Sequence, residues 1–181
     1  MRTYIVGVFL AAVISVIGPG AACAQTATQN INISATVTKS CTINGVATGT
    51  AGSATITVSA AGAVSTTAIT PTGSPFANVA CNAASNLQLT SLSGGVVNAG
   101  TPGTGFTNII NYTGSATWNS VTATVNTATN PLATSAEAGT AQAVATANSG
   151  NLTVTITPQA NTSPLITGSY SDTLQITLTP Q

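Results

Sequence analysis

The chain has 181 residues but only two Lys or Arg, two Asp or Glu and no His. That inventory excludes a nucleic-acid surface, which needs a basic stripe, and removes the usual base that activates a serine. With 43% hydrophobic and 2% charged residues the chain is too apolar for disorder, and its nearly uncharged surface has little to repel a second copy.

The N-terminus reads as an export signal, residues 1–24. Arg2 supplies the positive start, Tyr4 to Ile17 is almost wholly apolar, and Ala22-Cys23-Ala24 fits a small-x-small cleavage site, so the mature chain begins at Gln25. The apolar run is short for a membrane span and is broken by Gly18, Pro19 and Gly20. Gly20-Ala21-Ala22-Cys23 lacks the branched apolar residue that a lipidated cysteine carries three places before it. Cleavage leaves Lys39, Glu137 and Asp172 as the charged side chains, and Cys41 and Cys81 as the cysteines. A single pairing is then possible, and an oxidising compartment favours the bond. Closing a loop of about 40 residues stabilises the fold by roughly 4 kcal/mol in the chain-entropy model. Two isolated cysteines without a CxxC spacing or a histidine read as a staple, not as a redox switch or metal ligands, and no cofactor is implied.

From Thr26 to Thr42 every even position is Thr, Asn or Ser, while the odd positions include Ile31, Ile33, Ala35, Val37, Cys41 and Ile43. This period of two extends over roughly 60 Å, about three times an ordinary strand, so one domain has no internal use for all of it. An amphipathic strand ahead of the first structural cysteine is what a subunit needs to complete the sheet of its neighbour.

The rest of the chain reads as one domain, residues 38–181. Strand-like runs follow at Ala54 to Ser59, Phe76 to Cys81, Asn86 to Leu92, Ile109 to Tyr112, Ser115 to Val125, Asn151 to Thr157 and Tyr170 to Thr179. Turn signals separate them, among them Pro71-Thr72-Gly73, Gly94-Gly95 and Thr101-Pro102-Gly103. Many short strands with polar turns predict an all-β antiparallel sandwich. The Ala/Thr-rich stretch from Thr127 to Gly150 is compatible with a long loop or a short helix. In the last run Leu174, Ile176 and Leu178 alternate with Thr173, Gln175, Thr177 and Thr179, and the sequence ends at Gln181. A sandwich whose final strand is missing leaves a groove and an unpaired edge, and the spare N-terminal strand is a candidate filler.

Cys41 in the first strand, Val79-Ala80-Cys81 before the Leu87/Leu89 strand, Asn111-Tyr112, Gly139-Thr140-Ala141-Gln142 and the closing Gly168-Ser169-Tyr170-Ser171-Asp172-Thr173-Leu174 together resemble the spore coat protein U domain family, which includes subunits of archaic chaperone-usher pili. The resemblance covers most of the mature chain, and its ending, with Gly168, Tyr170, Asp172 and Leu174, is the most specific element. It implies an incomplete immunoglobulin-like sandwich completed by a donor strand. A periplasmic chaperone would first lend that strand. At an outer-membrane usher the N-terminal extension of the next subunit would replace it, giving a surface fibre for adhesion and biofilm formation. The donor segment would be residues 25–37, with Ile31, Ile33, Ala35 and Val37 filling the groove. The absence of Arg from the mature chain and the ending Thr179-Pro180-Gln181 depart from the family pattern.

Other readings account for less of the sequence. Tyr170 and Asp172 read as architecture, the tyrosine at the start of the last strand and the aspartate on nearby backbone, as in a tyrosine corner. Glu137 lies far along the chain from Asp172, so a two-carboxylate glycosidase would need a coincidence of folding. There is no Gly-x-Ser-x-Gly elbow, and the chain reads as no enzyme. Trp118, Tyr112, Phe76 and Phe106 read as core or interface fillers before sugar-stacking platforms. The Thr-rich runs lack the fixed repeat of an ice-binding face and are explained by strand propensity. Asn-x-Ser/Thr matches such as Asn111-Tyr112-Thr113 are expected by chance in this composition. The alternatives to a fibre subunit are a monomeric secreted module binding carbohydrate or another surface ligand, and a spore-coat component.

Overall fold

The computed structural model describes residues 26–50, 52–129 and 135–181. The export signal expected at residues 1–24, and Gln25 as the mature start, lie outside the described residues. The chain divides into two units, the described residues 26–36 belonging to the first and Val37–Gln181 forming the second, the body. In that first unit residues 26–36 have no regular secondary structure and are exposed throughout.

The body is all-β and antiparallel. Its strands are β1 (Cys41–Thr42), β2 (Phe76–Cys81), β3 (Ser85–Ser91), β4 (Val96–Val97), β5 (Ile109–Ile110), β6 (Tyr112–Trp118), β7 (Val121–Asn126), β8 (Glu137–Ala138), β9 (Gln142–Val144), β10 (Asn148–Pro158) and β11 (Leu174–Pro180). One sheet has the order β1-β2-β10-β6-β7; the other has β11-β3-β8, with β9 also paired to β3, and β4 and β5 form a small ribbon. The two larger sheets face one another as a sandwich over a core that includes Val79, Leu87, Leu89, Tyr112, Ala116, Trp118, Val125 and Leu152. Alternation explains the packing: in β3 the buried residues are Ser85, Leu87, Leu89 and Ser91, and in β6 they are Tyr112, Gly114, Ala116 and Trp118. Phe76, Tyr112 and Trp118 are core side chains as expected, whereas Phe106 is exposed in a turn closed by its own N–H on the Gly103 carbonyl at 3.1 Å.

Several runs fold differently from the sequence expectation. The long alternating N-terminal run is the exception, since one domain was not expected to use all of it: among the described residues its pairing is at Cys41–Thr42 and at an isolated bridge from Ile43 to Val46. Ala54 to Ser59 is no strand: Val58 bridges Val64 across a tight turn in which Gly62 N–H bonds the Ser59 carbonyl, so the segment doubles back on itself. Ser115 to Val125 is two strands, because Asn119 and Ser120 take φ of 49° and 63° and make the two-residue turn that matches strand twist. Ile109 to Tyr112 divides at Asn111, where the chain passes from the ribbon into the large sheet. In the stretch from Thr127 to Gly150 the described residues form a 3-10 turn at Thr127–Thr129, then β8, β9 and the start of β10.

The two flanks of the sandwich differ. On the β7 side the 137–144 segment crosses from β3: Gly139 N–H bonds the Leu89 carbonyl at 2.9 Å, and a Cβ on Gly139 would overlap the Thr124 carbonyl oxygen of β7. On the other side β11 pairs only with β3, and among the described residues no strand pairs with its outer edge.

Candidate functional site

The open flank is built from β11. Its register on β3 sets Leu174, Ile176, Leu178 and Pro180 opposite Ser91, Leu89, Leu87 and Ser85, so all four face the core. The β3 residues of this set are fully buried, yet their β11 partners are all only partly buried. The difference marks a strip of apolar surface beside β11, whose outer edge no described strand pairs with although β1 approaches it. Cys41 and Ile43 at the β1 margin are likewise partly buried against the same core.

Asp172 anchors the start of β11. Its Oδ2 accepts hydrogen bonds from Ser91 Oγ and Tyr112 Oη, both 2.6 Å, and its Oδ1 accepts from the Ser93 and Thr173 amides at 2.9 and 2.7 Å. Burial pushes the Tyr112 phenol well above its ordinary range, and the bond to the Asp172 carboxylate raises it further. Tyr170 donates to the Ile166 carbonyl at 2.9 Å, the backbone tie expected of a tyrosine corner. At Gly168 φ is 137° and a Cβ would collide with the Asn98 amide, so the closing turn has room for glycine alone. Gly168, Tyr170, Asp172 and Leu174 thus shape and fasten the first turn of the open-edge strand.

Glu137, distant in sequence, is brought closer than expected: β8 sets it opposite Ser91, whose hydroxyl is on Asp172. Four protein donors already occupy the Asp172 carboxylate, and Glu137 accepts from Thr129 Oγ1 at 3.1 Å. This is the bonding of a fastening. The surface hollow near Asn111, Gln159 and Asn161 has its amides turned to the protein as well, with Asn161 Nδ2 on the Gly62 carbonyl at 2.8 Å and Gln159 Nε2 on Asn126 Oδ1 at 2.9 Å.

Cys41 and Cys81 are Cα partners across β1 and β2 and form the disulfide. Beside it the Asn82 side chain accepts from the Ser40 amide and donates to the Thr38 carbonyl, each at 2.8 Å, fastening the chain just after Val37. The four expected donor residues are exposed, Ile31 at 85%, Ile33 at 91% and Val37 at 80%, with Ala35 exposed between them. Exposed isoleucines spaced by two are unusual for a side chain that ordinarily prefers the interior.

Sequence reasoning missed Ser91, Asn82 and the role of Tyr112. A signal existed for Tyr112, because a buried tyrosine needs an acceptor and Asp172 is one of very few carboxylates available. Comparison of the chain with models of known families, with curated proteins and with solved structures gives no match.

Proposed function

We propose that the protein is a structural subunit that polymerises by strand addition into a surface fibre, each copy lending residues 25–37 to the open flank of the next. The observation that carries this reading is the open flank of β11, with inward residues partly bare where those of β3 are wholly buried. The same chain carries an exposed apolar comb at Ile31, Ile33, Ala35 and Val37 that ends where Asn82 and the disulfide fasten it. Burying four such side chains contributes roughly 1.5 to 3 kcal/mol for each larger one, and a main-chain ladder adds direction. Head-to-tail contacts of this kind do not close, so the product is an open filament.

Within this reading the chain resembles the spore coat protein U domain subunits of chaperone-usher pili, crosses the periplasm with a chaperone, and assembles at an outer-membrane usher for attachment and biofilm formation. The role is structural, without catalysis, cofactor or nucleic acid.

The test is light scattering coupled to size exclusion on the exported chain, on an Ile31→Asp, Ile33→Asp variant and on a variant beginning at Thr38. The reading expects concentration-dependent polymers from the first and none from the others, with the body folded in all three. A stable monomer from every form would replace it with a self-contained binding module.

A further inference from the structure

At the start of the body a side chain stands in for main chain. β1 and β2 pair Cys41 with Cys81 and Thr42 with Ala80. One step further out the Asn82 amide bonds the Ser40 carbonyl at 3.1 Å, and among the described residues no main-chain rung follows it. The cause is the path of the chain after β2. Beyond Asn82 it turns to enter β3, and the Ala84 carbonyl already accepts from the Gln181 amide, just past the end of β11.

An antiparallel ladder needs both an acceptor and a donor from the partner strand. The Asn82 carboxamide supplies the two: Oδ1 accepts from the Ser40 amide and Nδ2 donates to the Thr38 carbonyl, each at 2.8 Å. The ladder thus continues to Thr38 on a side chain after its backbone strand has turned away. Both bonds lie at the surface, where one alone holds little. Their neighbour makes them effective. Cys41, the residue after Ser40, is covalently tied to Cys81, the residue before Asn82, so little chain freedom remains for the two bonds to remove.

We infer that Asn82 is a positioning residue of fibre assembly: by clamping Thr38 to Ser40 it removes the free joint between a lent strand and the body that lends it, and so fixes the angle between successive subunits. The inference rests on the strand-addition reading above. In that reading the lent segment ends at Val37, and the clamp begins at the next residue, Thr38. A seated strand therefore passes into a clamped one with no linker between them. Even a short free linker behaves as flexible coil. Because one head-to-tail contact repeats along an open filament, an angle held at every junction makes a stiff fibre, and an angle freed at every junction makes a pliant one.

Bending separates this inference from strand addition itself. Fibres of the native chain, of Asn82→Ala, of Asn82→Asp and of a form with two glycines inserted between Val37 and Thr38 would be imaged by electron microscopy, and persistence lengths taken from their contours. The glycine form keeps the body and the clamp and sets the value for a free joint. The expected result is a native persistence length about threefold or more above that of the glycine form, with Asn82→Ala close to the glycine form. Asn82→Asp keeps an acceptor for Ser40 but, as a carboxylate, has no donor for Thr38, and is expected to be pliant too. Asn161→Ala is the control. It loses the bonds to Val64 and Gly62 beyond the opposite end of β10, which weakens the body away from the junction, and should keep the native stiffness. Native fibres as pliant as the glycine form, Asn82→Ala or Asn82→Asp fibres as stiff as the native ones, or equal softening by Asn161→Ala, each overturns the inference while leaving strand addition in place. Absence of fibres from the native chain overturns both.

Discussion

The Tyr112 hydroxyl donates to Asp172 Oδ2 at 2.6 Å, tying the first residue of β6 in one sheet to the turn that leads into β11 in the other. The bond crosses the sandwich at the end where β11 begins, so it holds a strand that among the described residues is paired on one side only. Removing the carboxylate with Asp172→Ala strands the Tyr112 and Ser91 hydroxyls and two amides, and is expected to cost about 3 kcal/mol. Tyr112→Phe leaves three of those four donors in place and is expected to cost about 1 kcal/mol. Urea midpoints of the two single variants and the double variant measure both, and a double-mutant cycle with no coupling would show that the bond carries no stability.

Burial of the Tyr112 phenol, reinforced by its bond to Asp172, makes stability fall in alkali. The folded state raises the Tyr112 phenol above the ordinary value of about 10, so the folded chain holds a proton that the unfolded chain gives up first. The contribution is complete below pH of about 10 and is lost as pH rises toward the folded value. Unfolding midpoints measured from pH 8 to 11 are expected to decline in the native chain and to decline less in Tyr112→Phe.

Reduction of Cys41–Cys81 removes a cross-link of sequence separation 40 at the edge of the large sheet. The expected loss is roughly 4 kcal/mol, and a Cys41→Ser, Cys81→Ser variant should match the reduced chain in thermal unfolding. An equal melting point with and without reductant would show that β1 is held by other means.

Asn82→Ala removes the two side-chain bonds on Thr38 and Ser40 while leaving the bond from the Asn82 amide to the Ser40 carbonyl. Global stability is expected to fall by about 1 kcal/mol, with faster amide exchange at Ser40 as the specific sign.

Gly139→Ala places a methyl group against the Thr124 carbonyl, where backbone, not a flexible side chain, must give way. The expected cost is about 3 kcal/mol, with loosening at the β7 flank in amide exchange. A neutral effect would mean that the 137–144 segment moves freely over β7.

Much of the fold was legible because alternation is a local property. The Leu87/Leu89 strand stands where the pattern set it, since inward apolar and outward polar residues admit one strand orientation against a core. Phe76–Cys81 is a strand as expected, although Asn78, at φ of 52°, breaks its alternation and leaves Phe76, Val79 and Cys81 as the buried residues. β8 and β9 were hidden in the stretch from Thr127 to Gly150 because two- and three-residue strands are too short to display a period. The β6–β7 turn was missed for another reason: Asn119-Ser120 lacks the glycine that usually announces such a reversal. The closing motif was legible as architecture, but its partners were not, because Ser91 and Tyr112 reach Asp172 across 81 and 60 residues of chain.

By itself the sequence determined the class of structure, the single cysteine pairing and the amphipathic N-terminal comb, all of which depend on composition or on spacing within a few residues. Only the tertiary structure decided that β11 pairs with β3 alone among the described residues, and that Asp172 fastens it through Ser91 and Tyr112. Those outcomes depend on which strands lie side by side. Strand neighbours are settled by burial of the whole core at once, not by any segment's own pattern.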